Sequence, residues 1–174
     1  MTIYITADLH LFHSKVISRC NRPIDIDNHN DWIIKQMNKL VTPQDTVYHI
    51  GDFALTKNID NINKVCNRLN GNWIHVLGNH DNEKLLSSAF IGTRHKIVSP
   101  LYNLIYNGLT IVLCHFPIES WNKKHYNSLH LFGHLHTREN FYNLTPIKNR
   151  YLVSFDSHPN HLPYRLDDLI DHRY

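Results

Sequence analysis

Nothing in this chain of 174 residues prepares it for covalent cross-linking or a membrane. Its three cysteines, Cys20, Cys66 and Cys114, lack paired spacing, which excludes a disulfide framework and any Cys-x-x-Cys redox or zinc motif. No apolar run approaches the roughly 18 residues of a membrane helix. Charge is sparse: 19% of residues are charged and the formal net charge is +3. Lys123-Lys124 is the lone adjacent basic pair, so the footprint of a protein that tracks long nucleic acid is missing. There is no internal repeat, low-complexity tract or Pro/Gly-rich linker. The expectation is one soluble domain over residues 1–174, with reduced thiols. No signal peptide precedes Thr2-Ile3-Tyr4-Ile5, which points to a cytoplasmic location.

What the chain does have is histidine, 15 in all, on a background of 42% hydrophobic residues that is ordinary for a globular protein. Short apolar runs alternate with amphipathic segments, the pattern of an α/β domain. Strands are expected at Ile3–Ala7, Thr46–Ile50, Trp73–Leu77, Lys96–Ser99, Leu104–Tyr106, Thr110–Cys114, His130–Phe132 and Tyr151–Phe155, all rich in Ile, Val, Leu and Tyr. Trp32, Ile33, Gln36, Met37 and Leu40 mark one face of a helix over Asn30–Leu40. Ile59, Ile62, Val65, Cys66 and Leu69 do the same over Asp60–Leu69, with Gly71 as its stop. A short helix is expected after Asp81 and a closing one over Leu166–His172, and Asn107-Gly108 reads as a hairpin turn.

Seven residues with metal-binding side chains stand where these apolar strands give way to loops. They are Asp8 and His10 (ADLH), Asp52 (HIGDF), Asn79 (LGNHD), His115 (VLCHFP), and His134 with His136 (FGHLH). Four imidazoles, two carboxylates and a carboxamide suit Mn, Fe, Ni or Zn and are too rich in nitrogen for calcium or a pure magnesium site. Seven ligands are too many for one ion. Two ions sharing a carboxylate, about 3.5–4 Å apart, use them all, and that geometry drives in-line hydrolysis of phosphate esters.

The ordered blocks Asp-x-His, Gly-Asp, Gly-Asn-His-Asp, His and Gly-His-x-His resemble the calcineurin-like metallophosphoesterase superfamily from Ile3 to about Asp156. Cys20-Asn21-Arg22-Pro23 and His115-Phe116-Pro117-Ile118-Glu119-Ser120-Trp121 look like a small bacterial and phage branch of it. The resemblance implies a four-layer α-β-β-α sandwich of two mixed sheets flanked by helices, with a tail and helix over 157–174. It also implies a wiring: Asp8, His10, Asp52 and His136 on one ion, and Asp52, Asn79, His115 and His134 on the other. Asp52 bridges, and a hydroxide between the ions attacks. His80 faces the substrate, and Asp81 holds its ring. Two manganese ions are the expected cofactors, with Fe, Ni or Zn as alternatives.

Each residue alone has a blander reading, since an Asp at a strand end is more often a turn former and a lone His a surface or core residue. Five matched blocks outweigh that. His49 and His75 lie inside strands and read as hydrogen-bonded core. Two departures narrow the function. Phe53-Ala54-Leu55 follows the Gly-Asp block without the Arg with which protein phosphatases grip phosphate. His80 is retained where some small phosphodiesterases carry Cys, which keeps leaving-group protonation and phosphomonoesters in play. Arg22, His13 and Phe12, and beyond His115 Trp121, Asn122 and Lys123, are the candidate substrate contacts; burial against neighbours is the competing reading for Arg22 and Trp121.

The function expected is hydrolysis of small phosphodiesters, nucleotide-derived ones among them, with some monoesterase activity. A nuclease is the alternative, disfavoured by the dispersed charge, and a non-catalytic metal-binding scaffold is a third, disfavoured by the complete ligand set. Partners are then a small phosphoester or nucleotide and no membrane. Self-association through an exposed sheet edge is left open.

Overall fold

Strands ending in metal-binding residues can serve one site only if their carboxyl ends lie together, and the topology arranges this. The computed structural model describes residues 1–137 and 147–171. Nine strands form two mixed sheets flanked by helices: β1 (Ile3–Thr6), β2 (Thr46–Ile50), β3 (Asn72–Val76), β4 (His95–Ile97), β5 (Leu101–Tyr106), β6 (Leu109–Cys114), β7 (Leu129–Phe132), β8 (Arg150–Leu152) and β9 (Tyr164–Arg165). The first sheet runs β4-β3-β2-β1-β9, parallel except for β9; the second runs β5-β6-β7-β8, with only the β5–β6 pair antiparallel.

Helices α1 (Ser14–Arg19), α2 (His29–Asn38), α3 (Ile59–Cys66) and α4 (Glu83–Ala89) follow strands of the first sheet, and α5 (Leu166–Asp171) closes the described chain. α2, α3 and α4 bury Ile33, Met37, Ile62, Val65 and Leu86 against Val47, Phe53 and Trp73 in one apolar cluster. A second cluster fills the space between the sheets, where Ile5, Ile50 and Val76 of the first meet Ile111, Leu113, Leu129 and Leu131 of the second. The outer face of the second sheet is covered by the segment after β6. There Trp121 lies on His130, with ring centres 5.3 Å apart.

The differences from the sequence reading have local causes. α1 has a single buried side chain, Val16, and no side-chain cap, so it carries no periodic signal. β9 is two residues long and is defined wholly by pairing with Tyr4 and Ile5. Leu40 is exposed and Ile34 takes its place in the core, because α2 ends at Asn38. α3 stops at Cys66, ahead of Gly71, whose φ of +93° instead serves the turn into β3. The closing helix is described to Asp171, and His172 lies outside the described residues. Asn107 and Gly108 form the expected hairpin turn, both with positive φ.

Candidate metal centre

The loops leaving β1 and β2 are zipped together beyond the sheet. Asp8 N–H donates to Gly51 O, His10 N–H to Asp52 O and Leu11 N–H to Phe53 O, each at 2.9 Å. Within this ladder Asp8, His10 and Phe12 all adopt left-handed backbone, with φ of 59°, 49° and 64°. His134 and His136 do the same, at 70° and 59°, and Asp52 at 61°. Alternate left-handed residues undo the normal alternation of an extended chain. Side chains at i and i+2, which would point to opposite faces, therefore enter one cavity. The conformation is sparsely populated for non-glycine residues, and the ladder holds it in place.

The seven predicted ligands converge. The two Nε2 atoms of His10 and His115 approach the same oxygen, Asp52 Oδ2, at 3.5 and 3.4 Å. His115 Nε2 and His134 Nδ1 both lie 3.1 Å from Asn79 Oδ1, and His10 Nε2 lies 3.2 Å from His136 Nε2. Ligand atoms of Asp8, His10 and His136 fall within 4.8 Å of one another, as do those of Asp8, Asp52 and His115. Two donor groups therefore flank Asp52.

The donor set fits divalent cations. In His115, Nδ1–H donates to Ile50 O at 2.9 Å, which leaves Nε2 as a lone pair. His136 gives its Nδ1–H to Asp156 at 2.8 Å, and His10 Nδ1 lies 3.3 Å from His13 Nδ1. These outer partners select the tautomer a metal needs. His10 and His136 then aim two lone pairs at one spot, an arrangement that repels unless a cation or a proton sits between them. Two glycines confirm how tightly the ligands are seated. A Cβ on Gly78 would stand 2.2 Å from Asp52 Oδ1, and one on Gly51 2.3 Å from His115 Nδ1.

Electrostatics follow from burial and contact. Burial pushes the Asp8 carboxyl up and pushes His10 down to about 2, partly opposed by Asp52. Burial would also raise Asp52, but its contact with His115 overrides this and holds the carboxyl below the usual range. Burial would lower His136. Its hydrogen bonds to Asp156 and Cys20 outweigh that and push it up to about 10, so a proton takes the shared spot when a cation does not.

Several expected roles are corrected. Asp81 does not hold the His80 ring: its carboxylate accepts from three backbone N–H groups, those of Gly78, Asp52 and Phe53, at 2.7–2.9 Å, and so pins the two loops together. Arg22 is not a substrate contact, being buried with every donor used inside the protein. Trp121 is buried, and its indole N–H donates to Ser128 Oγ at 3.0 Å. Asn122 bonds to Asn103 of β5, Phe12 packs on the helix-side core, and Lys123 is exposed and caps a 3-10 turn. His13 does line the site. The His80 ring lies 5.4 Å from that of His10 and 6.0 Å from that of His13, centre to centre, and His80 N–H donates to Asp52 Oδ1 at 2.9 Å. The residue that sequence reasoning missed is Asp156. Its only signal is an acid just past a strand that ends beside the site.

Comparison with known proteins gives the family. A protein of unknown function from Aquifex aeolicus shares the fold, with a TM-score of 0.73 and 22% identity over 98% of each chain. An uncharacterised protein of Methanocaldococcus jannaschii is 30% identical over 136 residues, 77% of this chain and 69% of its own. The gene 66 protein of Mycobacterium phage L5 is 23% identical over 165 residues, 77% of each chain. The model of the calcineurin-like phosphoesterase superfamily domain matches residues 1–151, and with that match the chain belongs to the calcineurin-like phosphoesterase superfamily.

Proposed function

We propose that the protein is a dinuclear phosphoesterase, loaded with manganese, that hydrolyses small phosphodiesters and, more slowly, phosphomonoesters. The observation that carries this reading is Asp52 Oδ2, approached by both His10 and His115 at 3.5 and 3.4 Å. Asp8, His10, Asp52 and His136 would hold one ion, and Asp52, Asn79, His115 and His134 the other. Two divalent cations supply activated water near neutral pH and offset the charge that builds on the phosphoryl oxygens.

The chain's own residues do the remaining work. Asp81 fixes the loops that carry Asp52 and His80, so the Asp52 carboxylate does not reorganise as charge develops. His13 accepts the Nδ1 proton of His10, which leaves its own proton on Nε2 to donate to a phosphoryl oxygen. His80, exposed at the mouth of the site, delivers a proton to the leaving alkoxide. Asn79 and His80 are both exposed, and an open mouth suits a small ester held by few contacts.

The test is direct. Protein supplied with manganese hydrolyses bis-p-nitrophenyl phosphate, EDTA abolishes the reaction, and Asp52→Asn lowers kcat/KM about a hundredfold or more, the equivalent of about 3 kcal/mol. Absence of turnover on a broad phosphoester panel, with Asp52→Asn indistinguishable from wild type, overturns the reading.

A further inference from the structure

One charged network outside the ligand set has no role in the reaction as described. Arg22 and Asp156 are far apart in sequence, and their side chains are 0% and 1% exposed. The guanidinium grips the carboxylate as a fork, Nε to Oδ1 at 2.8 Å and Nη2 to Oδ2 at 2.9 Å. Its other three N–H groups donate to Leu9 O at 2.8 Å, Asp8 O at 2.7 Å and His29 Nε2 at 2.7 Å. All five donors are satisfied, so Arg22 has nothing left for a ligand. On its far side Asp156 Oδ2 accepts the His136 Nδ1 proton at 2.8 Å.

Burying such an ion pair gains little stability, because desolvation offsets the attraction and an apolar replacement often does as well. What the pair does supply is geometry. Arg22 holds the backbone carbonyls of Asp8 and Leu9, the two that lie between the left-handed Asp8 and His10, and through Asp156 it also sets the ring of His136. Asp156 reaches this position because the chain leaves β8 and crosses to β1, where Ala7 and Ser154 bridge and Phe155 N–H donates to Ala7 O at 2.9 Å.

We propose that Arg22 and Asp156 are positioning residues for the first ion: Asp156 fixes the proton of His136 on Nδ1 so that Nε2 is free to ligate, and Arg22 locks Asp156 and the Asp8 backbone into one frame. The proposal rests on the two-ion reading above. It assigns Arg22 to the site's support and not to substrate.

Asp156→Asn is the informative change because it keeps the shape and reverses one polarity. The carboxamide oxygen still accepts from Arg22 Nε, while the NH2 that replaces Oδ2 faces both Arg22 Nη2 and His136 Nδ1, the two donors that Oδ2 serves in wild type. The imidazole proton is then expelled to Nε2, where it blocks the metal. In manganese titration calorimetry, wild type takes two equivalents. In Asp156→Asn one equivalent weakens about 10- to 100-fold and the other holds. Arg22→Lys, which keeps the charge and loses the fork, weakens the same equivalent. Imidazole 15N spectra of the metal-free proteins give a reading independent of turnover: Nδ1 of His136 is protonated in wild type and bare in Asp156→Asn. The Cys20 thiol lies 3.3 Å from the same nitrogen, and Cys20→Ala leaves both equivalents unchanged.

Wild-type affinity for both ions in Asp156→Asn overturns the proposal, as does weakening by Cys20→Ala in its place. If Asp156→Asn does not fold, Arg22→Lys decides by the same titration. Wild type that binds fewer than two ions overturns the two-ion reading instead, and the 15N spectra still settle what holds His136.

Discussion

His49 isolates the cost of burying an imidazole without hydrogen-bond partners. It lies on β2 three residues before Asp52, fully buried, and neither ring nitrogen has a partner among the described residues. Its ring stands edge-on to Phe53, with centres 5.4 Å apart. Burial pushes its pKa down to about 3. Above pH 6.5 the ring is neutral in both folded and unfolded chains, so no stability is lost. As pH falls below 6.5 the unfolded chain takes up a proton that the folded one refuses until about pH 3, and stability declines throughout that window. At pH 5 the loss is about 2 kcal/mol. His49→Leu, similar in volume, removes this loss together with an unpartnered buried N–H that costs about 1–3 kcal/mol. Urea unfolding of EDTA-treated protein is the assay. The variant is expected to be more stable by about 1 kcal/mol at pH 8 and by about 3 kcal/mol at pH 5, with an unchanged m-value. A gap of equal size at both pH values, or a less stable variant at both, refutes the argument.

The same logic extends to the whole domain. His75, His95 and His130 are also buried, though hydrogen-bonded, and burial depresses all three, while contacts with carboxylates raise His115 and His136 and work in the opposite sense. The unfolded chain protonates these imidazoles where the folded one keeps them neutral, so the melting temperature of metal-free protein, followed by circular dichroism, should fall steadily as pH drops from 6.5 to 5. Gly78→Ala would force a Cβ to within 2.2 Å of Asp52 Oδ1. The fold should survive by circular dichroism, with a loss of about 1–3 kcal/mol, while manganese affinity falls at least tenfold by calorimetry. His80→Ala should slow hydrolysis of an alkyl phosphodiester about 10²- to 10⁴-fold and of a p-nitrophenyl ester far less, because only the alkoxide needs a proton; equal losses on both would remove His80 as the acid.

The convergence of the seven candidate ligands was legible because its signal is chemical. Asp8, His10, Asp52, Asn79, His115, His134 and His136 carry donor atoms at strand ends, and strand ends follow from apolar runs such as Thr46–Ile50, which the structure reproduces residue for residue. The supporting residues were not legible, because their roles depend on partners remote in sequence. Arg22 reads as an exposed anion grip until Asp156 appears beside it. Trp121 reads as a stacking platform until His130 and Ser128 bury it. Asp81 sits next to His80, and the resemblance implied that it holds that ring. Its oxygens turn instead to amides of a different loop, that of Asp52 and Phe53. Loop side chains have no periodicity to say which way they face.

One feature was half legible. His134 and His136 are two residues apart, so serving one site requires both side chains on one side of the chain. The structure does it by setting both in left-handed backbone, and repeats the device at Asp8 and His10. Each such residue costs on the order of 1 kcal/mol or more. Gly at these positions would relieve the strain but supply no donor atom. The strain is held by elements that touch no substrate: the ladder between the first two loops, Asp81 across three amides, and Arg22 on the carbonyls of Asp8 and Leu9. A site built from i and i+2 donors thus draws two ligands from one short loop, at the expense of a stiff frame behind it. It follows that substitutions in this frame should lower metal affinity before they lower the melting temperature, whereas substitutions in the helix-side core should do the reverse.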